Sequence, residues 1–597
     1  MKDFLKYTLA TVVGIILAGV VFTIISIIAV SGMIASMSSI NTSEASINKN
    51  SILELNLSGT LQERSEDNPL SQLINKDQYQ IYGLDDILKA VRNAKENDKI
   101  KGIYIQAGAF SAAPSSYEEI RNALLDFKKS GKFIVAYGDT YTQGTYYLSS
   151  VADKIFLNPQ GEIAWYGLAS EPVFYKDLLS KLGIEIQVFR VGTYKSAVEP
   201  FIATEMSPAN REQVTSFLGS IWNQMLTDVS ASRKISKEVL NACADSMVMF
   251  RPSTDCIKYK LADELAYKDG VKGYLKKKVG IKEDEKLNLV DIVDMATVNK
   301  DKPKDKSGNI IAVYYAYGEI DNGSSMTGDE GINSEKVIRD LRALNEDKDV
   351  KAVVFRVNSP GGSAYGSEQI CHEIEALSKK KPVIVSMGDY AASGGYYISS
   401  AANYIIAQPT TLTGSIGIFG LFPNAKGLLT DKLGLHFDVV KTNKYSDFGS
   451  VSRAMNNGEK ALLQAYINRG YDTFVTRCSQ GRKISKDSIN AIGQGRVWTG
   501  IQAKKLGLID DLGGIDKAIS IASQKAKIKD YTLCSYPEKE NVLISLFEKI
   551  RGDYMSDGLK ANFGEYYDYF KGLNLLTNLK HVDRIQARIP FELNLNN

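Results

Sequence analysis

Histidine is scarce in this chain: His372, His436 and His581 are the three present in 597 residues. A Ser-His-Asp triad or a multi-histidine metal centre would have to be assembled from these residues. The pattern places His372 on an amphipathic helix, His436 before a strand and His581 in the C-terminal tail, without partners at metal-ligand spacing. We therefore expect a site that uses neither a metal nor a cofactor.

Cysteine and net charge exclude further classes of protein. The five cysteines are an odd number without CxxC spacing, which excludes a disulfide scaffold and a zinc ribbon. Lys and Arg number 72 against 69 Asp and Glu, so the net charge of +3 gives no indication of a nucleic-acid partner. Apolar residues at 44% and charged residues at 24% are typical of a folded chain. At about 150 residues per domain, the length predicts several domains or a duplication.

The N-terminal region has the length and composition of a membrane anchor. Residues 7–43 contain no charged side chain, and residues 9–34 are almost continuously apolar. About 20 apolar residues are enough to cross a bilayer, so we predict a transmembrane helix over about residues 8–35. Lys2 and Lys6 precede it, which predicts that the N-terminus lies inside and the remaining chain outside the cytoplasm.

The rest of the chain contains an internal duplication. GDTYTQGTYYLSS at residues 138–150 and GDYAASGGYYISS at residues 388–400 are displaced by 250 positions and share seven of thirteen residues. In both copies, continuous apolar runs typical of buried strands alternate with amphipathic helices, which predicts an α/β architecture. The predicted divisions are an anchor and tether at 1–49, a first copy at 50–298, a linker at 299–309, a second copy at 310–536 and an extension at 537–597. The extension has no counterpart in the first copy, and we interpret it as available to pack against a neighbouring subunit.

The second copy contains a candidate nucleophile that the first copy lacks. Ser393 lies among small residues in AASGG, at a predicted turn from strand to helix. A serine followed by glycine at such a turn can be presented to a substrate, and the next amide, that of Gly394, can contribute to an oxyanion hole. The first copy has Gln143 at the aligned position, and it has AFSA at 109–112 where the second has SPGG at 359–362.

The first copy in turn contains a candidate base that the second lacks. Lys195, in GTYKSAVEPF, aligns with Ser446. Burial can lower a lysine pKa by up to about 3–5 units, so a neutral amine could accept the Ser393 hydroxyl proton. Taken singly, a serine among glycines is more often part of a turn, and a lysine is more often solvated. The reciprocal loss across the duplication favours a catalytic pair where the two copies meet.

Four motifs together resemble the double-length form of the signal peptide peptidase A (protease IV) family: NSPGG, GDYAASGGYY, TLTGSIGIFG and RVGTYKSAVEPF. The resemblance implies two tandem, diverged Clp-protease/crotonase-like domains of stacked ββα units after the N-terminal transmembrane helix. It implies a homotetramer at the bacterial inner membrane, with its catalytic domains on the periplasmic side. It also implies a serine endopeptidase that degrades cleaved signal peptides and other apolar, extended peptides.

The same resemblance assigns roles to individual residues. It implies that Ser393 is the nucleophile and Lys195 the general base, and that Ser415 orients the lysine amine. It implies that backbone amides of Gly361 or Gly362, together with that of Gly394, form the oxyanion hole.

Two other functions compete with this interpretation. A crotonase-type acyl-CoA enzyme would use a similar oxyanion hole, but coenzyme A chemistry is cytoplasmic and needs no serine and lysine pair. A catalytically silent membrane scaffold or regulator would bind peptides without cleaving them.

Overall fold

The computed structural model describes residues 6–7, 14, 19, 47–65, 81–298, 307–322, 331–538 and 585–589. The predicted anchor at 8–35 lies outside the described residues, apart from Gly14 and Gly19. Within the described part of the chain, no helix has both the length and the apolar character needed to span a membrane.

The first copy is built on a parallel sheet. The strands of the first copy are β1 Ser51–Gln62, β2 Ile81–Gly83, β3 Ile100–Ser111, β4 Phe133–Tyr141, β5 Lys154–Ile163, β6 Glu185–Arg190, β7 Glu264–Leu265 and β8 Leu289–Val290, and all of them except β6 form this sheet. The sheet order is β2-β1-β3-β4-β5-β7, with β8 also paired to β1, and every pairing is parallel. Ile103 and Tyr104 of β3 point to opposite faces of the sheet and are both at most 1% exposed, as expected for strands covered on both faces.

Helices cover the sheet of the first copy. The helices of the first copy are α1 Leu84–Glu96, α2 Pro114–Lys128, α3 Gln143–Ser149, α4 Lys176–Leu182, α5 Glu199–Ile202, α6 Pro208–Arg233, α7 Lys237–Asp245, α8 Ser253–Lys258, α9 Lys268–Val279 and α10 Ile292–Thr297. Of these, α4 and α5 pack with β6 in a separate apolar cluster. Amphipathic helices such as α1 bury one apolar stripe, here including Ile87 and Val91.

The second copy repeats this plan. Its strands are β9 Ile310–Tyr317, β10 Ile320–Asp321, β11 Ile332–Asn333, β12 Val350–Ser359, β13 Gly361–Ser363, β14 Val383–Ala392, β15 Tyr404–Ala407, β16 Leu412–Gly414, β17 Phe419–Asn424, β18 Val497–Thr499, β19 Asp511–Leu512 and β20 Thr532–Tyr536. The main order is β18-β16-β14-β12-β9-β20, with β15 joining β14 to β19. Its helices are α11 Ser334–Glu346, α12 Ala364–Ser378, α13 Gly394–Ser399, α14 Asn457–Arg482, α15 Lys486–Ile492, α16 Gly500–Lys505 and α17 Ile515–Ala526.

A third sheet joins the two copies. Its order is β11-β10-β13-β21-β17-β6, where β21 is Ile585–Arg588 of the C-terminal extension. Strand β6 of the first copy pairs antiparallel with β17 of the second over six residues. This part of the extension therefore pairs with two strands of its own chain.

The counterpart of β6 in the second copy is not a strand. Residues 436–441 align with β6, yet they are exposed and form no sheet pairing in the structure, so the strand predicted after His436 is absent. Strand geometry depends on a neighbour that accepts and donates the backbone hydrogen bonds. Strand β6 has β17 as that neighbour, whereas Val440 is 98% exposed.

A buried ion cluster also connects the copies. The Arg356 guanidinium on β12 forms ion pairs with Glu63 and Glu119 of the first copy, and the side chains of all three are at most 4% exposed. Arg356 also donates to the Ser386 hydroxyl at 3.0 Å. Each charge therefore has a partner, which is the condition for burying ions between two domains.

We expect Arg356→Ala to destabilise the protein by about 3–5 kcal/mol, because it leaves two buried carboxylates without their cation. Arg342→Ala is the matched control, since it breaks the ion pair of the 63% exposed Arg342 with Glu373, a type of contact worth about 0–1 kcal/mol. Thermal and urea unfolding of both variants would measure the difference. Equal losses in the two variants would contradict a structural role for the cluster.

Candidate active site

Ser393 is held in a strained backbone conformation directly after β14. Its φ is +55° and its ψ is −112°, a region that residues other than glycine avoid at a cost of about 1–3 kcal/mol. The Ser393 N–H donates to the Gly414 carbonyl at 2.8 Å, and its own carbonyl accepts from the Tyr397 N–H at 2.8 Å. These bonds fix the turn at the start of α13 and hold the side chain where β14 ends.

Lys195 reaches this turn because the chain leaving β6 stays bonded to the second copy. The Val191 N–H donates to the Ile418 carbonyl at 3.1 Å, and the Tyr194 N–H donates to the Gln494 carbonyl at 2.8 Å. Gly495, with φ +77°, lies so close to the Lys195 backbone that a Cβ there would approach it to 2.7 Å. Glycine at 495 thus permits the close approach that delivers the lysine.

The serine and the lysine meet inside the protein. The Lys195 Nζ lies 2.8 Å from the Ser393 Oγ, 3.0 Å from the Ser415 Oγ and 3.2 Å from the Ser415 carbonyl oxygen. All three residues are at most 2% exposed. Burial holds the pKa of the Lys195 amine well below its usual range, because the ammonium form would lose its hydration. A largely neutral amine in this position can accept a proton from the hydroxyl.

Glycines surround the serine on the side of the SPGG turn. Gly361 and Gly362 have φ values of +109° and +153°, and a Cβ on Gly394 would lie 3.2 Å from the Gly361 Cα. The Gly361 N–H already donates to the Ser359 hydroxyl at 3.2 Å. The structure thus brings together the three glycines that the sequence indicated for an oxyanion hole, and it gives the amide of Gly361 a partner of its own.

The equivalent place in the first copy is filled. The Gln143 carboxamide accepts from the backbone N–H groups of Tyr166 and Gly167 and donates to the Gly167 carbonyl at 3.0 Å. Gln143 itself begins α3 and does not have the positive φ of Ser393. Phe110, aligned with the proline of SPGG, is fully buried on β3. The first copy therefore lacks both the strained turn and the SPGG glycines.

Several residues of the site were not identified from the sequence. The Gly417 carbonyl lies 3.4 Å from the Ser393 Oγ, and the Phe419 ring centre lies 5.9 Å from the Lys195 Nζ. Gln213 on α6 donates to the Tyr194 carbonyl at 3.0 Å and accepts from the Val497 N–H at 3.1 Å. Gly417 and Phe419 belong to TLTGSIGIFG, so that motif was the available signal, whereas no local pattern indicated Gln213.

The histidines do not take part in this arrangement. His372 and His436 are exposed, and His581 lies outside the described residues. Across the ranges that the structure describes, no three His, Cys, Asp or Glu side chains are grouped so that they could hold a metal ion.

A buried lysine beside a serine on a strained turn, with glycine amides nearby, is an arrangement typical of serine peptidases. The sequence model of peptidase family S49 matches residues 126–282 and again residues 375–529, and the model of Clp protease matches residues 313–412. The chain is thus a serine protease with an α/β fold and two repeats. It belongs to peptidase family S49, which confirms the family resemblance and the internal duplication.

Three similar proteases support this assignment. "Protease 4" of Salmonella typhi is 41% identical over 80% of this chain and 78% of its own length. "Protease 4" of Haemophilus influenzae is 36% identical over 86% of this chain and 84% of its own length. "Serine protease SPPA, chloroplastic" of Arabidopsis thaliana is 36% identical over 73% of this chain and 64% of its own length.

We expect Lys195→Met to stabilise the protein at neutral pH. The unfolded chain keeps its lysine protonated up to about pH 10.4, whereas the folded chain releases that proton at lower pH. Between the lysine pKa of the folded chain and that of the unfolded chain, the unfolded state therefore binds more protons. The wild type loses stability as the pH falls through this interval. The gain from Lys195→Met should be largest at the low end of the interval and should shrink towards about pH 10.

Thermal midpoints across pH would measure this difference, with Lys176→Met, an exposed lysine on α4, as the control. A Lys195→Met protein less stable than wild type at every pH would contradict the account.

Proposed function

We propose that this protein cleaves peptide bonds through an acyl-enzyme formed on Ser393, with Lys195 as the general base. The observation that carries the proposal is the 2.8 Å approach of the Lys195 Nζ to the Ser393 Oγ in a fully buried setting. Lys195 accepts the hydroxyl proton while the Ser393 Oγ attacks the carbonyl carbon, and it then returns the proton to the leaving amine. Water hydrolyses the ester with the same base.

Neighbouring groups complete the proposed machinery. The Ser415 hydroxyl and carbonyl, at 3.0 and 3.2 Å from the Lys195 Nζ, hold the amine in line with Ser393. The oxyanion is assigned to the amides of Gly362 and Gly394, with Gly361 shaping the turn, because the Gly361 N–H is engaged by Ser359. Removing one such donor typically costs about 2.7–4 kcal/mol of transition-state stabilisation.

The proposed substrates are cleaved signal peptides and other apolar, extended peptides. Strands β13 and β17 both lie beside Ser393 and pair with an extended segment between them. Backbone pairing of this kind recognises a chain in its extended form. The similar proteins of Salmonella typhi, Haemophilus influenzae and Arabidopsis thaliana are named as proteases, which agrees with peptide substrates.

We propose that the enzyme is located at the bacterial inner membrane. The apolar residues 9–34, preceded by Lys2 and Lys6, would anchor it as a single-pass protein with the catalytic domains on the periplasmic side. We further propose a homotetramer. Residues 436–441, which align with β6 but have no partner strand in the described structure, would offer a surface to the next subunit.

The alternatives explain less of the site. A silent peptide-binding scaffold has no use for a buried lysine in contact with a strained serine, since both features cost stability. A crotonase-type acyl-CoA enzyme would need the glycine amides but not the Lys195 and Ser393 contact.

We expect Ser393→Ala and Lys195→Ala each to lower kcat/KM for a small apolar peptide or peptide ester by about 10⁴-fold or more, because the two residues act as one unit. Ser446→Ala, at the exposed position aligned with Lys195, should leave the rate unchanged. Mass spectrometry after treatment with a serine-directed fluorophosphonate should find the label on Ser393. Undiminished cleavage by Lys195→Ala would contradict the lysine as base, and an inert wild-type chain that does not label would support the scaffold.

The rate should rise with pH through the lowered pKa of Lys195 and hold its maximum in mildly alkaline buffer, because only the neutral amine accepts a proton. A kcat/KM profile between pH 5 and pH 10 would show this rise. A maximum below about pH 6 would indicate a carboxylate or histidine base instead.

A further inference from the structure

The extension of this chain lies in the groove beside Ser393. Strand β21 pairs antiparallel with β13 on one side, where Gly361, Gly362 and Ser363 face Arg588, Ala587 and Gln586. On the other side it pairs antiparallel with β17 through Phe419 and Gly420. An extended segment between these two strands occupies the place that the proposed function gives to a peptide substrate.

The carbonyl of Ala587 points at the glycines of the proposed oxyanion hole. The Ile589 N–H donates to the Pro360 carbonyl at 2.9 Å, and hydrogen-bonded pairs alternate along an antiparallel ladder. Gly362 and Ala587 therefore form the next hydrogen-bonded pair, in which the Gly362 N–H donates to the Ala587 carbonyl. The same oxygen lies 3.1 Å from the position that a Cβ would take on Gly394.

The residues after this carbonyl are anchored. Arg588 forms an ion pair with Glu319, and the Arg588 Nη1 donates to the Glu319 carboxylate at 3.2 Å. Ile589 is 2% exposed and carries the bond to Pro360, while the Ala587 side chain is fully buried. The segment is therefore held on both sides of the Ala587–Arg588 bond.

We propose that residues 585–589 are a built-in inhibitor that occupies the peptide-binding groove in the manner of a substrate and must leave before a peptide is bound. The proposal rests on the proposed function of the groove, because it takes Ser393 and the glycine amides as the catalytic centre.

The anchoring explains why the segment inhibits and is not consumed. Attack by the Ser393 Oγ on the Ala587 carbonyl carbon would form an ester and release the amine of Arg588, with the serine proton passing through Lys195 to that amine. The Glu319 pair and the Pro360 bond hold the amine in place, so it attacks the ester again, restores the peptide bond and returns the proton to the serine. Water reaches the ester only after the tail has left.

The test compares a chain ending at Arg584 with a control ending at Pro590, which keeps residues 585–589. A competing segment raises the apparent KM in inverse proportion to the fraction of molecules that are open and leaves kcat unchanged. We expect the chain ending at Arg584 to show at least a tenfold lower KM than the control for an apolar peptide, with the same kcat. Its Ser393 should also react at least tenfold faster with a fluorophosphonate at low reagent concentration.

A full-length Ala587→Trp variant repeats the test without truncation, because the buried Ala587 site has no room for an indole, and it should show the same lower KM. A synthetic peptide of residues 581–592 should inhibit the chain ending at Arg584 competitively, and the same peptide with tryptophan at 587 should not.

Equal KM and labelling rates in the wild type, the chain ending at Arg584 and Ala587→Trp would overturn the inhibitor. A purified wild-type mass lacking residues 588–597 would also overturn it, since the segment would then be a substrate. Absence of Ser393 labelling in the truncated chain and the Pro590 control alike would instead refute the proposed catalytic function.

Discussion

The exclusion of water from one amine is the constraint on which the rest of this structure depends. Lys195 lies in contact with Ser393 and Ser415 and is 1% exposed, and this burial lowers its pKa. Water that entered the site would hydrate the ammonium form of Lys195 and restore its ordinary pKa. The lowered pKa therefore requires rigid surroundings that keep water out. The pairing of β6 with β17 and the glycine at 495 supply that rigidity.

The duplication accounts for how such a site can be assembled from two parts. Both copies provide a sheet with the same turn after the equivalent strand, yet one turn carries Ser393 in a strained conformation and the other carries Gln143 in a relaxed one. Strain of this kind persists where surrounding bonds enforce it, as the backbone bonds of Ser393 to Gly414 and Tyr397 do. The Arg356 ion cluster then ties the two copies together on the strand that leads into the SPGG turn.

The strands that would recognise a substrate can also pair with the chain's own extension. Strands β13 and β17 would present free backbone groups to any extended chain, as sheet edges do. Within the described structure, β21 covers both edges at once, so the same hydrogen bonds that would hold a peptide hold the chain's own extension. Backbone pairing discriminates little between sequences, and β21 is at high effective concentration because it belongs to the same chain. Such an edge therefore also binds β21.

The sequence by itself determined the α/β class, the duplication, the family and the identity of the serine, lysine and glycines that meet. The class and the duplication follow from local patterns, because apolar periodicity and aligned motifs survive in each copy separately, whereas the family and the glycines follow from the motifs that resemble it. The tertiary structure alone decided what depends on contacts between distant residues: the 2.8 Å contact of Lys195 with Ser393, the burial that lowers the lysine pKa and the engagement of the Gly361 amide. It also decided that residues 436–441 lack a strand and that residues 585–588 enter the groove, because a strand forms only where a neighbour completes its hydrogen bonds.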